Sequence, residues 1–259
     1  MCCFFRSASS WNSSLWINVG KETNQELGRE IIAKNSPVVV GNAVVGVIDW
    51  VGNKQSRVRL ITDSGLSPSV RALRGSPQEQ LLTQKINDLL QLLLSVESLL
   101  PNSQDNEELK KSLHQTKNRL VSTDHHWLLA KGELHGSSKP LWRTNGHLLK
   151  GIGFNYDFAD QEGPARDLRS GKPLDPQSKE PHLPILKMHD LLVTTGMDGV
   201  FPPGLLVAEV QKLHYLKEGD YSYELDAVPI IHNLNEISLV FVMPPVGYDT
   251  DEQPPPLGW

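Results

Sequence analysis

The chain is 259 residues long and carries a formal net charge of −5, from 25 Lys and Arg against 30 Asp and Glu. An apolar content of 39% is enough to bury a core, which excludes a wholly disordered chain. The basic residues are scattered and form no stripe that would neutralise phosphates, which excludes nucleic-acid binding.

The two cysteines, Cys2 and Cys3, are neighbours, a spacing too short for a relaxed disulfide and without the company a zinc site needs. No run of about 18 apolar residues crosses a membrane within the sequence, and the first ten residues lack the layout of a signal peptide, so the sequence reads as soluble.

In chain order, Ser13 to Gly20 (SSLWINVG) reads as a first strand closed by glycine, and the polar stretch Lys21 to Ser36 as irregular. Pro37 to Asn53 gives two β-branched runs separated by Gly41-Asn42, a hairpin signal because the turn wants positive φ. Arg57, Val58, Arg59 and Leu60 alternate with the period of two that marks a half-buried strand.

The pattern changes at Ser76. Ser76-Pro77-Gln78-Glu79 predicts a capping box with proline at the first helical position. Leu82, Ile86, Leu89, Leu93, Val96 and Leu100 repeat at spacings of three and four, a narrow coiled-coil seam, until Pro101 stops the helix. A second amphipathic helix carries Leu109, Leu113 and Leu120, so the segment predicts an antiparallel helical hairpin. Leu90, Leu92, Leu94 and Leu99 widen the apolar face and offer a docking surface for a partner or a second copy.

Short strand-like runs return after His125, and Ala159 to His182 reads as a long polar surface loop. Leu191 to Thr194 and Leu205 to Val210 are strands flanking a segment dense in glycine and proline, and two further strand patterns follow. The tail PPVGYDTDEQPPPLGW predicts extended or disordered chain.

Four chemistries can be weighed against this layout. Asp63-Ser64-Gly65 after a strand is how an aspartic protease presents a carboxylate, but the corresponding Val193-Thr194-Thr195-Gly196 has threonine in the aspartate's place. A turn, with Asp63 bonded to its own backbone, is the simpler reading, and only a homodimer could supply a second Asp63. A serine nucleophile lacks its Gly-x-Ser-x-Gly elbow. Asp124-His125-His126 lacks metal-ligand spacing, since strand neighbours point to opposite faces. Gly196, Gly199 and Gly204 are spaced for turns between strands and not for a phosphate loop. No cofactor or metal is expected. The most informative stretch is Asp190 to Val210, where Phe201 is expected to anchor the loop inward, Pro202-Pro203 to fix its exit and Gly204 to turn the chain.

At this stretch the sequence resembles the bacterial rod shape-determining MreC family. LLVTTGMDGVFPPGLLVAEV is similar to the family's D-x-V-V-T-S-G-x-x-G-x-F-P-x-G-x-x-V-G-x-V signature, with Thr195 for Ser and Ala208 for Gly. The segment from Pro37 to Ala72 is similar to an earlier family pattern, on which Gly46, Ser56, Val58, Leu60, Thr62 and Asp63 fall.

The resemblance implies a mainly β fold of two small six-stranded β-barrels, with trypsin-like topology but no catalytic residues, and an inserted α-helical hairpin. Residues 1–10 are then a disordered start, 11–30 with 183–245 one discontinuous barrel, and 31–182 the second. The second contains the hairpin insert 76–122 and the polar loop 159–182, and 246–259 is a disordered tail. Gly41, Gly46, Thr62, Asp63, Gly65, Thr195, Gly196, Gly199, Phe201, Pro202 and Gly204 become structural turn and loop residues. Leu90, Leu94 and Phe201 become candidate partner contacts. The family pattern opens with a membrane helix and a dimerising coiled coil, which this sequence does not show, so a truncated or shifted start is expected.

By resemblance the chain is a non-enzymatic scaffold of the peptidoglycan elongation machinery, associated with the inner membrane and facing the periplasm. Its implied partners are the actin-like filament system, the membrane partner of that system and a penicillin-binding transpeptidase. No nucleic acid or small-molecule substrate is implied, and a homodimer stays open. Two alternatives also stay open: a dimeric hydrolase using Asp63, and a generic interaction module acting through the hairpin.

Overall fold

The structure is a computed structural model and describes residues 4–5, 14–96, 103–119, 126–136, 148–232, 234 and 237–246. Among them the strands run as β1 (Phe4–Phe5), β2 (Ser14–Ile17), β3 (Pro37–Val40), β4 (Ala43–Val51), β5 (Ser56–Leu60) and β6 (Ser69–Gly75). They continue as β7 (His126–His135), β8 (Leu149–Asn155), β9 (Leu191–Thr194), β10 (Leu206–Leu213), β11 (Tyr223–Pro229) and β12 (Phe241–Val242). The helices are α1 (Lys21–Leu27), α2 (Ser76–Val96) and α3 (Ser103–Arg119). The chain divides into two compact units, Met1–Ala72 with Leu129–Trp259, and Leu73–Leu128.

Six strands close into a barrel in the order β10-β11-β8-β7-β6-β9 and back to β10. The pairings of β10 with β11 and β9, and of β8 with β11 and β7, are antiparallel. Closure pairs the backbone all round and leaves no sheet edge. Val70, Leu129, Leu134, Phe154, Phe201 and Val210 are among the side chains that fill the core.

The other six strands form a sheet in the order β1-β2-β5-β4-β3-β12. Among the described residues no pairing joins β12 to β1, so this sheet stays open. It has its own core, with Leu15, Ile17, Val38, Ile48 and Val58 from the early strands and Leu234, Ile237 and Val240 from the end of the chain.

β4 connects the two cores. Val44 and Val47 belong to the barrel core, while Val45 and Ile48 belong to the open sheet's core. A bulge makes this possible: Val39 pairs with Val44 and Val38 with Gly46, so Val45 is the extra residue and the alternation resets there. A strand apolar on both faces is the mark of one buried on both sides. β4 also touches the barrel in parallel, where the Leu206 N–H donates to Asn42 O at 2.9 Å. Gly46 is required by close approach, because a Cβ there would sit 1.9 Å from Arg59 O of the paired strand.

This partition differs from the expected one. Ser14–Ile17 pairs with Ser56–Leu60 and not with strands of 183–245. Ser69–Gly75, His126–His135 and Leu149–Asn155, expected in the barrel of 31–182, join the later strands in the closed one. The physical reason is that alternation shows which side chains face a core but not which strand lies alongside.

Local expectations shift too. Lys21 to Leu27 is helical and not irregular, ended by Gly28 at φ +65°. Asn24 ties the helix to the chain beyond it, its Oδ1 accepting the N–H groups of Ile31 and Ile32 at 3.1 and 2.9 Å. At the expected disordered start, Phe4–Phe5 pairs with β2 as a strand. The rest of residues 1–10 and the tail 247–259 lie outside the described residues. The turn between β3 and β4 has Gly41 at φ +60° while Asn42 stays out of the left-handed region, the requirement of a type II′ hairpin. The polar loop 159–182 wraps a buried Arg166, which donates to Pro181 O at 2.8 Å and Gly171 O at 3.2 Å.

In the second unit, α2 and α3 make the hairpin. Its start is capped by Gln78, whose Oε1 accepts the Gly75 N–H at 3.1 Å. The packed face of α2 is out of phase with the expected seam: Ile86 and Leu90 are buried, while Leu82 and Leu89 are exposed. Leucines stand on most sides of this helix, so spacing alone does not select the buried face. Leu90 is therefore no partner contact. Leu99, Leu100 and Leu120 lie outside the described residues.

Candidate functional site

The chain between β9 and β10 is a tight loop built from its own polar side chains. Thr194 is fully buried, and its hydroxyl donates to Pro202 O at 2.6 Å while accepting the Leu205 N–H at 3.0 Å. The Asp198 carboxylate accepts three backbone N–H groups. Oδ1 takes those of Val200 and Phe201, at 2.9 and 3.0 Å, and Oδ2 takes that of Ser69 on β6, at 3.0 Å. Thr195 adds two donations to Ser69 O, from its N–H at 3.0 Å and its hydroxyl at 3.2 Å. The loop is thus fastened to β6 at the point where the barrel closes.

Gly196, Gly199 and Gly204 take φ of +80°, +68° and +90°, which side chains rarely adopt. Phe201 has no exposed surface and lies in the barrel core beneath the loop. It therefore cannot be the partner contact that the sequence suggested. Pro202 is half-buried and Met197 is exposed.

A second polar cluster lies on the same barrel. Arg71 is buried and reaches Asp160 Oδ2 at 3.3 Å, Leu129 O at 3.3 Å and the Glu162 carboxylate. Lys131 Nζ stands 2.7 Å from the same Asp160 oxygen, and the Tyr156 hydroxyl donates to Oδ1 at 3.1 Å. Burial pushes the Asp160 carboxyl up, but the hydrogen bond from Lys131 and the charges of Arg71 and Lys131 outweigh it, and the group titrates below the ordinary carboxylate range. Burial, and then the Asp160 charge, push the Tyr156 phenol above its ordinary value, against the opposing charge of Arg71. These ion pairs fix the chain after β8 to β6 and β7. Sequence reading missed both clusters. Asp198 could have been found, because Asp before Gly in a turn accepts the N–H groups two and three residues on. Arg71 and Asp160, 89 residues apart, carry no local signal.

Between the loop and the cluster lies a groove of about 370 Å³, lined by Ser69, Lys131, Ile152, Phe158, Thr195 and Met197 among others. Ile152, Phe158 and Met197 are exposed apolar side chains.

The remaining candidates have structural places. Asp63 Oδ1 accepts the Gly65 N–H at 2.8 Å, and Arg59 donates to Gly65 O at 3.0 Å, so the triplet is a turn. Thr62 is buried, and its hydroxyl finds no hydrogen-bond partner. Asp124 and His125 lie outside the described residues, and His126 is exposed at the start of β7. Among the described residues no group of three or more His, Cys, Asp or Glu could hold a metal, and no helix is long and apolar enough to cross a membrane.

The profile described as "Rod shape-determining protein MreC, barrel core" matches residues 4–118 and 162–244, a span that contains the fastened loop and its β6 anchor. The chain belongs to the MreC family. An MreC structure aligns over 93% of this chain and 84% of its own at 16% identity, with a TM-score of 0.50. MreC from Listeria monocytogenes aligns over 95% of this chain and 74% of its own at 14% identity, with a TM-score of 0.51. A Helicobacter pylori MreC solved in complex with PBP2 aligns over 95% and 98% at 12% identity, with a TM-score of 0.44. No curated protein matches the sequence. MreC proteins are shape-determining by description, and in this chain the loop fastened to β6 lies within the matched residues.

Proposed function

We propose that this chain is a non-enzymatic scaffold of the cell-wall elongation machinery, working on the periplasmic face of the inner membrane. Its partners on this reading are a penicillin-binding transpeptidase, the actin-like filament system and the membrane partner of that system. The observation that carries the reading is the family match across the barrel core. The chemistry of the loop is compatible with it: Thr194, Thr195 and Asp198 spend their polar atoms on backbone groups, which suits holding a shape.

The partner contact is placed on the groove beside the loop, where Ile152, Phe158 and Met197 are exposed, in place of the buried Phe201. An apolar cluster rimmed by Lys131 and Glu133 has the composition of a binding patch with a polar border. The double variant Ile152→Glu/Met197→Glu is expected to weaken capture of the transpeptidase about tenfold or more, with the melting temperature unchanged. Unchanged capture would overturn the placement. A chain that fails to restore rod shape in cells depleted of their own MreC would overturn the scaffold reading itself.

A further inference from the structure

We propose that the tip between β10 and β11 is a saccharide-binding site, in which Tyr215 and Tyr221 are stacking platforms for neutral pyranose rings. The two tyrosines are 88% and 83% exposed, more than any other large apolar side chain among the described residues. Both line a cavity of about 440 Å³ together with His214, Lys217, Ser222 and Glu224, a size within the range of small-ligand sites. A tyrosine ring supplies a large rigid face at little cost in entropy, and its hydroxyl keeps the far end wet.

The tip is held in shape before anything binds. Leu216 is buried, and Arg169 from the polar loop 159–182 donates to Leu216 O at 3.3 Å and to Lys217 O. Asp220 closes the turn: its Oδ2 accepts the Lys217 N–H at 2.7 Å, and its own N–H donates to Lys217 O at 3.2 Å. Gly219 makes the bend at φ +89°, and the His214 N–H joins the two strands by donating to Glu224 O at 3.0 Å. This fastening uses the backbone, Arg169 and Asp220, and leaves both tyrosine rings in solvent. A platform fixed in advance loses little freedom when a ligand settles on it.

The charges select a neutral, hydroxyl-rich ligand. Lys217 lines the same cavity as the carboxylates of Asp220 and Glu224, and His214 Nε2 already stands 3.2 Å from Asp226 Oδ1. A phosphate would meet two carboxylates and an ammonium would meet Lys217, so neither sign of charge is favoured. A pyranose carries both parts that the cavity asks for. Its face of C–H bonds suits the tyrosine rings, and the hydroxyls at its rim suit carboxylate acceptors and the Lys217 and Ser222 donors. The site goes beyond the scaffold reading, on which the saccharide would be glycan of the cell wall.

The test is isothermal titration of the full chain with the tetramer of β-1,4-linked N-acetylglucosamine. Wild type is expected to bind it with a Kd of about 1 mM or tighter. Tyr215→Ala and Tyr221→Ala are each expected to raise that Kd about fivefold, and the double alanine variant to abolish binding. Melting temperature is expected to stay unchanged in all three, because both rings are exposed. Tyr215→Phe/Tyr221→Phe keeps the ring faces and is expected to bind within about twofold of wild type. A wild type that binds no tetramer overturns the proposal, as does binding that survives the double alanine change. Loss of binding in the phenylalanine pair overturns the stacking role, and displacement of the sugar by choline or inorganic phosphate overturns the neutral class. A chain that restores rod shape in depleted cells but binds no tetramer overturns this site alone and leaves the scaffold reading standing.

Discussion

The closed barrel and the open sheet bury comparable apolar strands but hold them by different means. The barrel has a short strand, the four-residue β9, and fastens it with side chains: Asp198 and Thr195 to Ser69, Thr194 across the loop, and Arg71 with Lys131 on Asp160. The open sheet keeps its ion pairs nearer the surface, Arg57 and Arg59 on Asp49, and relies in its core on close contact, with Gly46 letting the β5 backbone come nearer than any side chain would allow. The difference teaches that the barrel responds to the loss of buried charge and the open sheet's core to added volume. The four-residue β9 contributes few ladder bonds, and its closing contacts are recruited from polar side chains. A strand buried on both faces, like β4, has no room for more atoms.

The largest expected effect breaks the open sheet. Gly46→Ala places a carbon on the Arg59 carbonyl, and a backbone neighbour cannot swing away. A loss of roughly 4 kcal/mol or failure to fold is expected, read by urea titration. A melt like wild type would show that β5 gives way. The corresponding cut in the barrel is Phe201→Ala, expected to cost about 3 to 5 kcal/mol because the side chain is fully buried. Unchanged melting would remove it from the core.

Asp198→Ala sharpens the comparison, because it takes away charge-assisted acceptors and little volume. A cost of about 2 to 3 kcal/mol is expected, with faster amide exchange at Ser69, Val200 and Phe201 and none at Gly46. Acid divides the halves further. The Asp160 carboxyl is held below its unfolded value, so its contribution is present above pH about 4 and is lost as pH falls through the folded value. Melting temperature followed downwards in pH should therefore drop more in wild type than in Asp160→Asn, and parallel curves would count against the cluster. The smallest effect is expected at Asp63→Asn, within about 0.5 kcal/mol, since the amide oxygen still accepts the Gly65 N–H. Loss of a hydrolytic activity in that variant would instead restore the hydrolase alternative.

The parts of the fold carried by local pattern were legible in the sequence. Alternation at Arg57 to Leu60, the Gly41-Asn42 turn and the break at Ser76 all describe what the backbone does nearby. The partnering of strands was not legible: Leu15 and Val58 pair across 43 residues, and nothing local says that Ser14–Ile17 belongs beside Ser56–Leu60. At the candidate site the glycines and Phe201 stood out because positive φ and a large apolar residue in a turn are local requirements. Arg71 and Asp160 did not, because a buried ion pair between distant residues leaves no spacing to read. In α2 the leucine excess hid the phase, and the buried face fell one step from the expected seam.

The order of strands along the chain has a consequence for biosynthesis. The open sheet's core needs Leu234, Ile237 and Val240, and its edge strand is β12, so its first strands emerge early and wait for its last. Every strand of the barrel is made in between. A nascent chain can therefore complete the barrel before it can seal the other core, and Leu15, Ile17 and Val38 remain without their cover until the chain beyond β11 has been made.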